Sequence, residues 1–419
     1  MVLRHRDFRL LWFGQTVSQL GNQFNYIALA WMVLQATGSS IAMGGVYLAQ
    51  VLPNALFGWV AGLAVDRFDR RRLMIACSLA RGLLVAALPL AFSEGRMPMA
   101  LVYGVTFAVS TLTLVFYASE KTVIPELVPE ALLTEANAYA EMTSQISSLA
   151  GPVLAGLLIA VTPSPVYALW IDVVGFGVSA LALSLLAWRP AARGPEADGG
   201  VLREAIEGLT FLRANRFILV VCLTATAVNL LVGPYSVIFP VLADRDLHAG
   251  SVGFGWLMGG LGGGMLLGSM AAQALTRLFS DAVIIYGGML IVGLAFAGVG
   301  LAPTLVLASM AAAVAGFAVA PGNAVILTLV QRSTPPRLQG RVFATLFAVV
   351  NVAVPAGVAI VSAFIDRVGA RPMLLGIGAL TVCVAITAWL VLPPEPSLPD
   401  AASETPSGNE ANPSPISPA

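Results

Sequence analysis

Charge is scarce in this sequence. Charged residues make up 11% of 419 positions, against roughly 25% in an ordinary soluble globular protein. Lysine is nearly missing: Lys121 stands alone and follows Glu120, so there is no Gly-Lys phosphate loop and no ATP-driven pump of that type. The histidines, His5 and His248, lie far apart, which argues against a histidine metal centre. Cys77, Cys222 and Cys383 fall inside apolar runs without paired spacing, which excludes a disulfide framework and a thiolate metal site. No metal or cofactor is expected. Net charge is zero, so nothing points to a nucleic-acid partner.

What fills the chain instead is apolar: 58% hydrophobic residues and a mean hydropathy of +0.86. Most of it divides into runs of about 20 apolar residues, the length that crosses a bilayer as a helix. Lipid offers the backbone no hydrogen-bond partners, so such runs must be helices rather than open sheets. The pattern predicts an all-α membrane protein of twelve transmembrane helices. Helix 1 is expected from Phe8 to Leu34, helix 2 from Ile41 to Val65, helix 3 from Leu73 to Phe92, helix 4 from Pro98 to Ala118, helix 5 from Ala138 to Val161 and helix 6 from Pro165 to Trp188. After a polar connection come helix 7 from Phe217 to Leu242, helix 8 from Ser251 to Leu275, helix 9 from Ala282 to Leu301, helix 10 from Thr304 to Val330, helix 11 from Val342 to Ile365 and helix 12 from Pro372 to Leu392. Arg4, Arg6 and Arg9 before an apolar stretch resemble a signal-peptide start, but Gln15, Gln19, Asn22, Gln23 and Asn25 interrupt that stretch, which reads as the first span.

Arginine and lysine are unevenly placed. Seventeen fall on the side of the N-terminus, while the opposite loops hold four, Arg96, Arg245, Arg367 and Arg371. The positive-inside rule then puts both termini in the cytoplasm of a multi-pass protein, for which a bacterial inner membrane is the expected location. The segment 189–216 mixes Pro, Gly and charge, then sets Val201, Leu202, Ala205, Ile206 and Leu209 on one face, as in a short helix lying at the inner surface. Residues 393–419, rich in Pro, Ser and acid, read as a disordered tail. The resulting division is an N-terminal half over 1–188, a linker over 189–216, a C-terminal half over 217–392 and the tail. An internal repeat at an offset of 206 supports it, pairing Gly62 with Gly268, Arg71 with Arg277, Gly82 with Gly288, Pro129 with Pro335, Leu132 with Leu338 and Gly151 with Gly357.

Between helices 2 and 3 runs Gly62-Leu63-Ala64-Val65-Asp66-Arg67-Phe68-Asp69-Arg70-Arg71-Arg72. A glycine, then Asp-Arg four residues on, then a basic triplet resembles the loop signature of the major facilitator superfamily; it departs at Asp69, where the general pattern has Gly, and at Ala64. Gly151-Pro152-Val153-Leu154-Ala155-Gly156 in helix 5 resembles the motif of that superfamily's exporter branches. Its proline bends the helix and its glycines permit close approach. Helix 8 offers a matching surface in Gly255, Gly259 and Gly263, with Gly260, Gly264 and Gly268 beside them. The stretches Val123–Pro129, Ala136–Ala138 and Gln339–Val342 are similar to connections in the subgroup of macrolide efflux proteins and the enterobactin exporter. The resemblance implies two pseudo-symmetric six-helix halves, with helix 5 against helix 8 and helix 2 against helix 11. Gly62, Asp66, Arg67, Arg70 and Arg71 would then form a gating motif, Asp66 latching onto the positive N-terminus of helix 11 when the inner side is closed.

Ionisable residues inside a span are functional candidates by default. Arg81 in helix 3 and Asp172 in helix 6 lie well within spans, Glu120 and Glu141 near inner ends. Asp172 could carry a coupling proton or form a structural ion pair with Arg81. Gln15, Gln19, Asn22 and Tyr26 share one face of helix 1 and should turn toward a wet cavity, with Asn229, Tyr235 and Asn323 as analogous residues. Interhelical hydrogen bonding is the alternative for each. The expected function is secondary active efflux of an amphipathic small molecule, a drug, siderophore or lysophospholipid, coupled to protons. The chain is expected to be monomeric in the bilayer and not an enzyme. A solute importer of the same fold and a non-transporting receptor or scaffold are the alternatives.

Overall fold

The structure is a computed structural model that describes residues 2–93, 98–188, 209–334 and 338–391. Helix 1 spans Arg6–Thr37, helix 2 Ser40–Arg67, helix 3 Arg70–Ser93, helix 4 Met99–Leu127, helix 5 Leu133–Val161 and helix 6 Val166–Ser184. Helix 7 comes in pieces: Arg216–Val232, Tyr235–Val241 and a π-helical turn, Leu242–Asp246. Helix 8 is Gly250–Leu278; helix 9 opens on a π turn, Val283–Gly287, and continues as Gly288–Leu301. Helix 10 is Leu305–Ser333, helix 11 Gln339–Val368 and helix 12 Ala370–Val391.

Among the described residues there is no strand, and nine helices are long and apolar enough to cross a membrane. Helices 1, 2 and 8 fall outside that group: amides dilute the first, glycines the last, and the second half of helix 2 has side chains outside the described residues. The expected amphipathic helix in the linker and the tail after Val391 lie outside the described residues.

Two expectations need correction. Helix 7 is not continuous, because Pro234 has no N–H to donate and the chain turns at Gly233-Pro234 before Tyr235 restarts the helix. Helix 4 runs nine residues past its expected end, through Ser119-Glu120-Lys121-Thr122 to Leu127. Polarity suggested a stop there, but Val123 and Ile124 are buried in a cluster with Phe8, Met74 and Phe116. Packing of that last turn keeps it helical.

The packing relations repeat. Helix 1 packs on helices 5 and 6, helix 3 on helices 4 and 6, and helix 2 on helix 4; helix 7 packs on 11 and 12, helix 9 on 10 and 12, and helix 8 on 10. Each relation in the first set reappears in the second with six added to both helices. The repeat extends to detail: a Cβ at Gly151 would press on Gln23 of helix 1, and one at its counterpart Gly357 on the Leu230 carbonyl of helix 7. The two sets meet along helices 5 and 8 and along helices 2 and 11.

Helix 1 begins and helix 12 ends on one face of the bundle, here called the near face. Among the described residues, the hydrogen bonds between the two sets all lie toward the far face. Gln35 Nε2 donates to Asp244 Oδ1 (3.1 Å), Ser40 to Asp366, Arg245 to the Gly38 carbonyl (2.8 Å) and the Ser251 hydroxyl to the Gly156 carbonyl (3.2 Å). Toward the near face, the helix 8 row Gly255–Gly259–Gly263 continues into Leu267 and Met270, which are 60% and 74% exposed. Helices 5 and 8 are therefore interlocked toward the far face, and the described contacts between the two sets close the molecule there.

Candidate functional site

Small residues set how closely the two sets approach. On helix 8, Gly255 and Gly259 face helix 5: a Cβ at Gly255 would stand 2.7 Å from the Pro152 carbonyl, and one at Gly156 would stand 2.6 Å from that of Ser251. Gly260, Gly264 and Gly268 face the other way, against the backbone of helix 10 at Ser309, Ala313 and Phe317. Helix 8 thus uses one glycine row to touch the other half and a second row to seat itself in its own.

Just below that seam, toward the near face, lies a cavity of about 430 Å³. Asn22, Gln23 and Tyr26 of helix 1, Ser148 and Pro152 of helix 5, Tyr235 of helix 7 and Met258 and Met265 of helix 8 line it. Its volume lies within the 300–1,000 Å³ typical of small-molecule sites. The lining offers amides and phenols for hydrogen bonds and thioethers for adaptable apolar contact, and it holds no charged side chain. The break at Gly233-Pro234 starts the helix that carries Tyr235 into this space. Tyr26 in turn packs on Tyr47 of helix 2, their ring centroids 5.4 Å apart.

Of the residues expected to line a cavity, Asn22, Tyr26 and Tyr235 do so together. Gln15 does not: Gly14 lets helix 6 come close, and Gln15 Nε2 donates to the Ser179 hydroxyl at 3.1 Å. Gln15 and Gln19 line a separate, water-sized void with Glu120 and Thr143. Asn229 Nδ2 donates to the Ala225 carbonyl of its own helix at 3.0 Å, and Asn323 is exposed outside the described cavities. Gln23, Ser148, Met258 and Met265 were missed. Gln23 sits in the same polar cluster as Asn22 and was legible; the methionines carry no signal that separates cavity from core.

A second cavity of about 230 Å³ lies within the first half, among helices 1 to 4. Asn22, Asn25, Gln50, Thr106, Ser110 and Thr113 form its polar side. Asn25 leads from it to Asp172, whose Oδ2 accepts from Asn25 Nδ2 at 2.6 Å. The expected Arg81–Asp172 ion pair is not formed. Arg81 lies between two phenyl rings, its Cζ 4.3 Å from the centroid of Phe116 and 4.5 Å from that of Phe176. It donates to the Ser78 and Thr113 hydroxyls and to the Cys77 carbonyl.

At the near face the basic triplet holds the first half together. Arg70 pairs with Glu126 of helix 4 at 2.6 Å, and Arg71 donates to the Leu183 and Ser184 carbonyls that end helix 6. Those carbonyls are the negative end of a helix dipole, where a cation belongs. Asp69, the departure from the family pattern, caps helix 3, since its carboxylate accepts from the Arg72 N–H at 2.9 Å. Asp69→Ala is expected to cost about 1 kcal/mol, read as a lower denaturation midpoint in detergent. The side chains of Gly62, Asp66 and Arg67 lie outside the described residues, although the helix 2 backbone runs through them.

At the far face the Asp366 carboxylate of helix 11 accepts from the Ser40 N–H (3.0 Å) and hydroxyl (2.7 Å) at the start of helix 2, and from Arg245 (2.8 Å) at the end of helix 7. Gly38 makes this junction possible. Its φ of 61° ends helix 1 in the left-handed region, and its carbonyl accepts from Arg245.

Comparison with known proteins agrees with this geometry. A model of the transmembrane secretion effector family matches residues 2–413. The chain is 26% identical over 394 residues to macrolide efflux protein A of Streptococcus pyogenes, covering 92% of this chain and 95% of that protein. It is 28% identical over 402 residues to the multidrug efflux pump Tap of Mycolicibacterium fortuitum, covering 90% and 94%. Among solved structures, a bacterial homologue of the iron transporter ferroportin in an inward-facing state superposes with a TM-score of 0.70 at 14% identity, over 92% of this chain and 98% of that one. That likeness is one of fold. The matched length, the helix-5 motif and the two interlocking six-helix sets converge on one assignment: the chain belongs to the transmembrane secretion effector family, an exporter branch of the major facilitator superfamily.

Proposed function

We propose that this transporter sits in a bacterial cytoplasmic membrane with both termini in the cytoplasm, and expels an amphipathic small molecule by alternating access in exchange for protons. The observation that carries the reading is the uncharged cavity of amides, phenols and methionines at the junction of helices 1, 5, 7 and 8. It is built by both six-helix sets and closed toward the far face by contacts between them, as a site between two rocking halves requires. Residues 1–188 and 217–392 act as the rocking halves, and 189–216 links them. One chain supplies every lining residue, so a monomer suffices. The macrolide and multidrug names of the relatives fit a substrate with both apolar bulk and hydrogen-bonding groups.

The test is accumulation of radiolabelled erythromycin and other amphipathic drugs in a pump-deleted bacterial host. The native chain is expected to lower accumulation of at least one of them. Tyr26→Ala and Tyr235→Ala are each expected to return it several-fold toward the level of the empty host. Downhill uptake into proteoliposomes without dependence on a proton gradient would instead make the chain an importer. Unchanged accumulation of every compound would point to a receptor or scaffold.

A further inference from the structure

We infer that Asp172 is a proton-binding site served by a polar chamber that helix 1 divides from the substrate cavity, with Asn25 as the gate between that chamber and the carboxyl. The inference rests on the transport reading above and deepens it. Asp172 is fully buried where helices 1 and 6 cross. Gly21 and Gly175 permit that crossing: a Cβ at Gly21 would stand 2.9 Å from the Asp172 Cα, and one at Gly175 3.2 Å from the Val17 carbonyl. One carboxyl oxygen accepts from Asn25, and the other has no partner.

Of the charged groups on the helices packed against helix 6, Arg81 of helix 3 faces Asp172; helix 1 presents Asn25 and Gly21 there. Cys77 of helix 3 and Tyr117 and Glu120 of helix 4 lie around Arg81. Arg81 is held by two aromatic faces and by hydroxyls, so it makes no direct contact with the carboxylate. A carboxylate with one hydrogen bond and no ion-pair partner is costly in such a place, and uptake of one proton removes the charge.

The proton's source is the 230 Å³ chamber. Asn25 and Thr113 line it, and through them it reaches Asp172 and Arg81. Thr106 on its wall has a buried hydroxyl without a partner, as a site for water requires. When the Asn25 amide swings off Oδ2, a hydronium ion in the chamber gives its proton to the carboxylate, one O–H bond breaking in the donor as one forms on the carboxyl, and the reverse step returns the proton to water. Asn22 and Tyr26 line both cavities. A shift of helix 1 as Asp172 is loaded or emptied therefore reaches the substrate's wall directly, although proton and substrate never share a site.

Infrared difference spectroscopy on the full chain, with hydrogen–deuterium exchange and without substrate, reads the proton. The native chain is expected to show the carbonyl stretch of a buried un-ionised carboxyl. Asp172→Asn should delete that band, and Asn25→Leu should keep it but shift it, because the hydrogen bond to Oδ2 is gone. A band that survives Asp172→Asn unchanged overturns the proposal, as does an unshifted band in Asn25→Leu, which still reports if Asp172→Asn fails to fold. Erythromycin transport is read separately. Asp172→Asn is expected to lose at least tenfold of gradient-driven movement while retaining counterflow exchange. The expected band in a chain that moves no amphipathic drug would refute the efflux reading and leave the proton site standing. Tyr235→Ala should weaken erythromycin binding and leave the band in place; loss of the band in that variant would refute the separation of the two chambers.

Discussion

Alanine at Gly255 or at Gly156 is expected to reduce efflux at least tenfold while the protein still inserts in the membrane. The added methyl at Gly255 would lie 2.7 Å from the Pro152 carbonyl oxygen and 3.3 Å from the Val153 Cα; at Gly156 it would lie 2.6 Å from the Ser251 carbonyl. These neighbours are backbone atoms of the facing helix, so no rotamer change relieves the clash. Helices 5 and 8 must move apart, and they are a main seam between the halves. Overpacking of this kind costs about 1–3 kcal/mol, which is roughly a tenfold to hundredfold change in an equilibrium. Here the penalty falls on the state closed at the far face, because that state presses the glycine rows together. Gly104→Ala and Gly177→Ala are the controls, since a Cβ at either position meets nothing within 4 Å. Drug accumulation in the pump-deleted host checks it. Native efflux in both seam variants would mean that this close approach is not on the transport path.

The architecture was legible because lipid leaves a chain few choices. Twenty-residue apolar runs must be helices, and the offset of 206 placed Gly151 and Gly357 at matching contacts on helices 1 and 7. Helix 8 was legible in finer grain, since two glycine rows four residues apart imply two packed neighbours. Reading failed where a property depends on what the neighbour is. Gln15 shares a face with Asn22, yet the small Gly14 lets helix 6 reach Gln15 first. Asn25 looked like part of the same amide cluster, and nothing in its spacing points to Asp172, 147 residues away. Arg81 and Asp172 suggested a pair by charge alone. The two phenyl rings that hold the arginine come from helices 4 and 6 and are ordinary core residues in sequence. The break in helix 7 was visible as Gly233-Pro234, but its consequence, the placement of Tyr235, needed the fold.

Asp366→Ala is expected to shift the protein toward a state open on the far face, by roughly fivefold in the conformational equilibrium. The carboxylate caps the first turn of helix 2 through the Ser40 N–H and hydroxyl, a contact of about 1 kcal/mol. It also pairs with Arg245 of its own half, which holds that arginine beside the Gly38 carbonyl of the other half. The Ser40 contact exists only when the far face is closed, and since 1.4 kcal/mol is a factor of ten, about 1 kcal/mol is roughly fivefold. Helices 2 and 11 run in opposite directions, so the arrangement is reciprocal. Asp366 at the end of helix 11 caps the start of helix 2; Asp66, near the end of helix 2, is placed by the family resemblance to face the start of helix 11 on the opposite side of the membrane. On that resemblance, one acid is expected to engage as the other lets go. Spin labels on Val161→Cys and Leu301→Cys, at exposed far ends of helices 5 and 9, would read the change as a longer distance by pulsed electron resonance. Adding Asp66→Asn to Asp366→Ala should bring the distribution back, because both latches are then gone; general damage to the fold would not be reversed this way. An unchanged distance in Asp366→Ala would remove the latch from the mechanism. High salt should leave most of the effect in place, since screening acts on separated exposed charges and far less on a hydrogen-bonded cap.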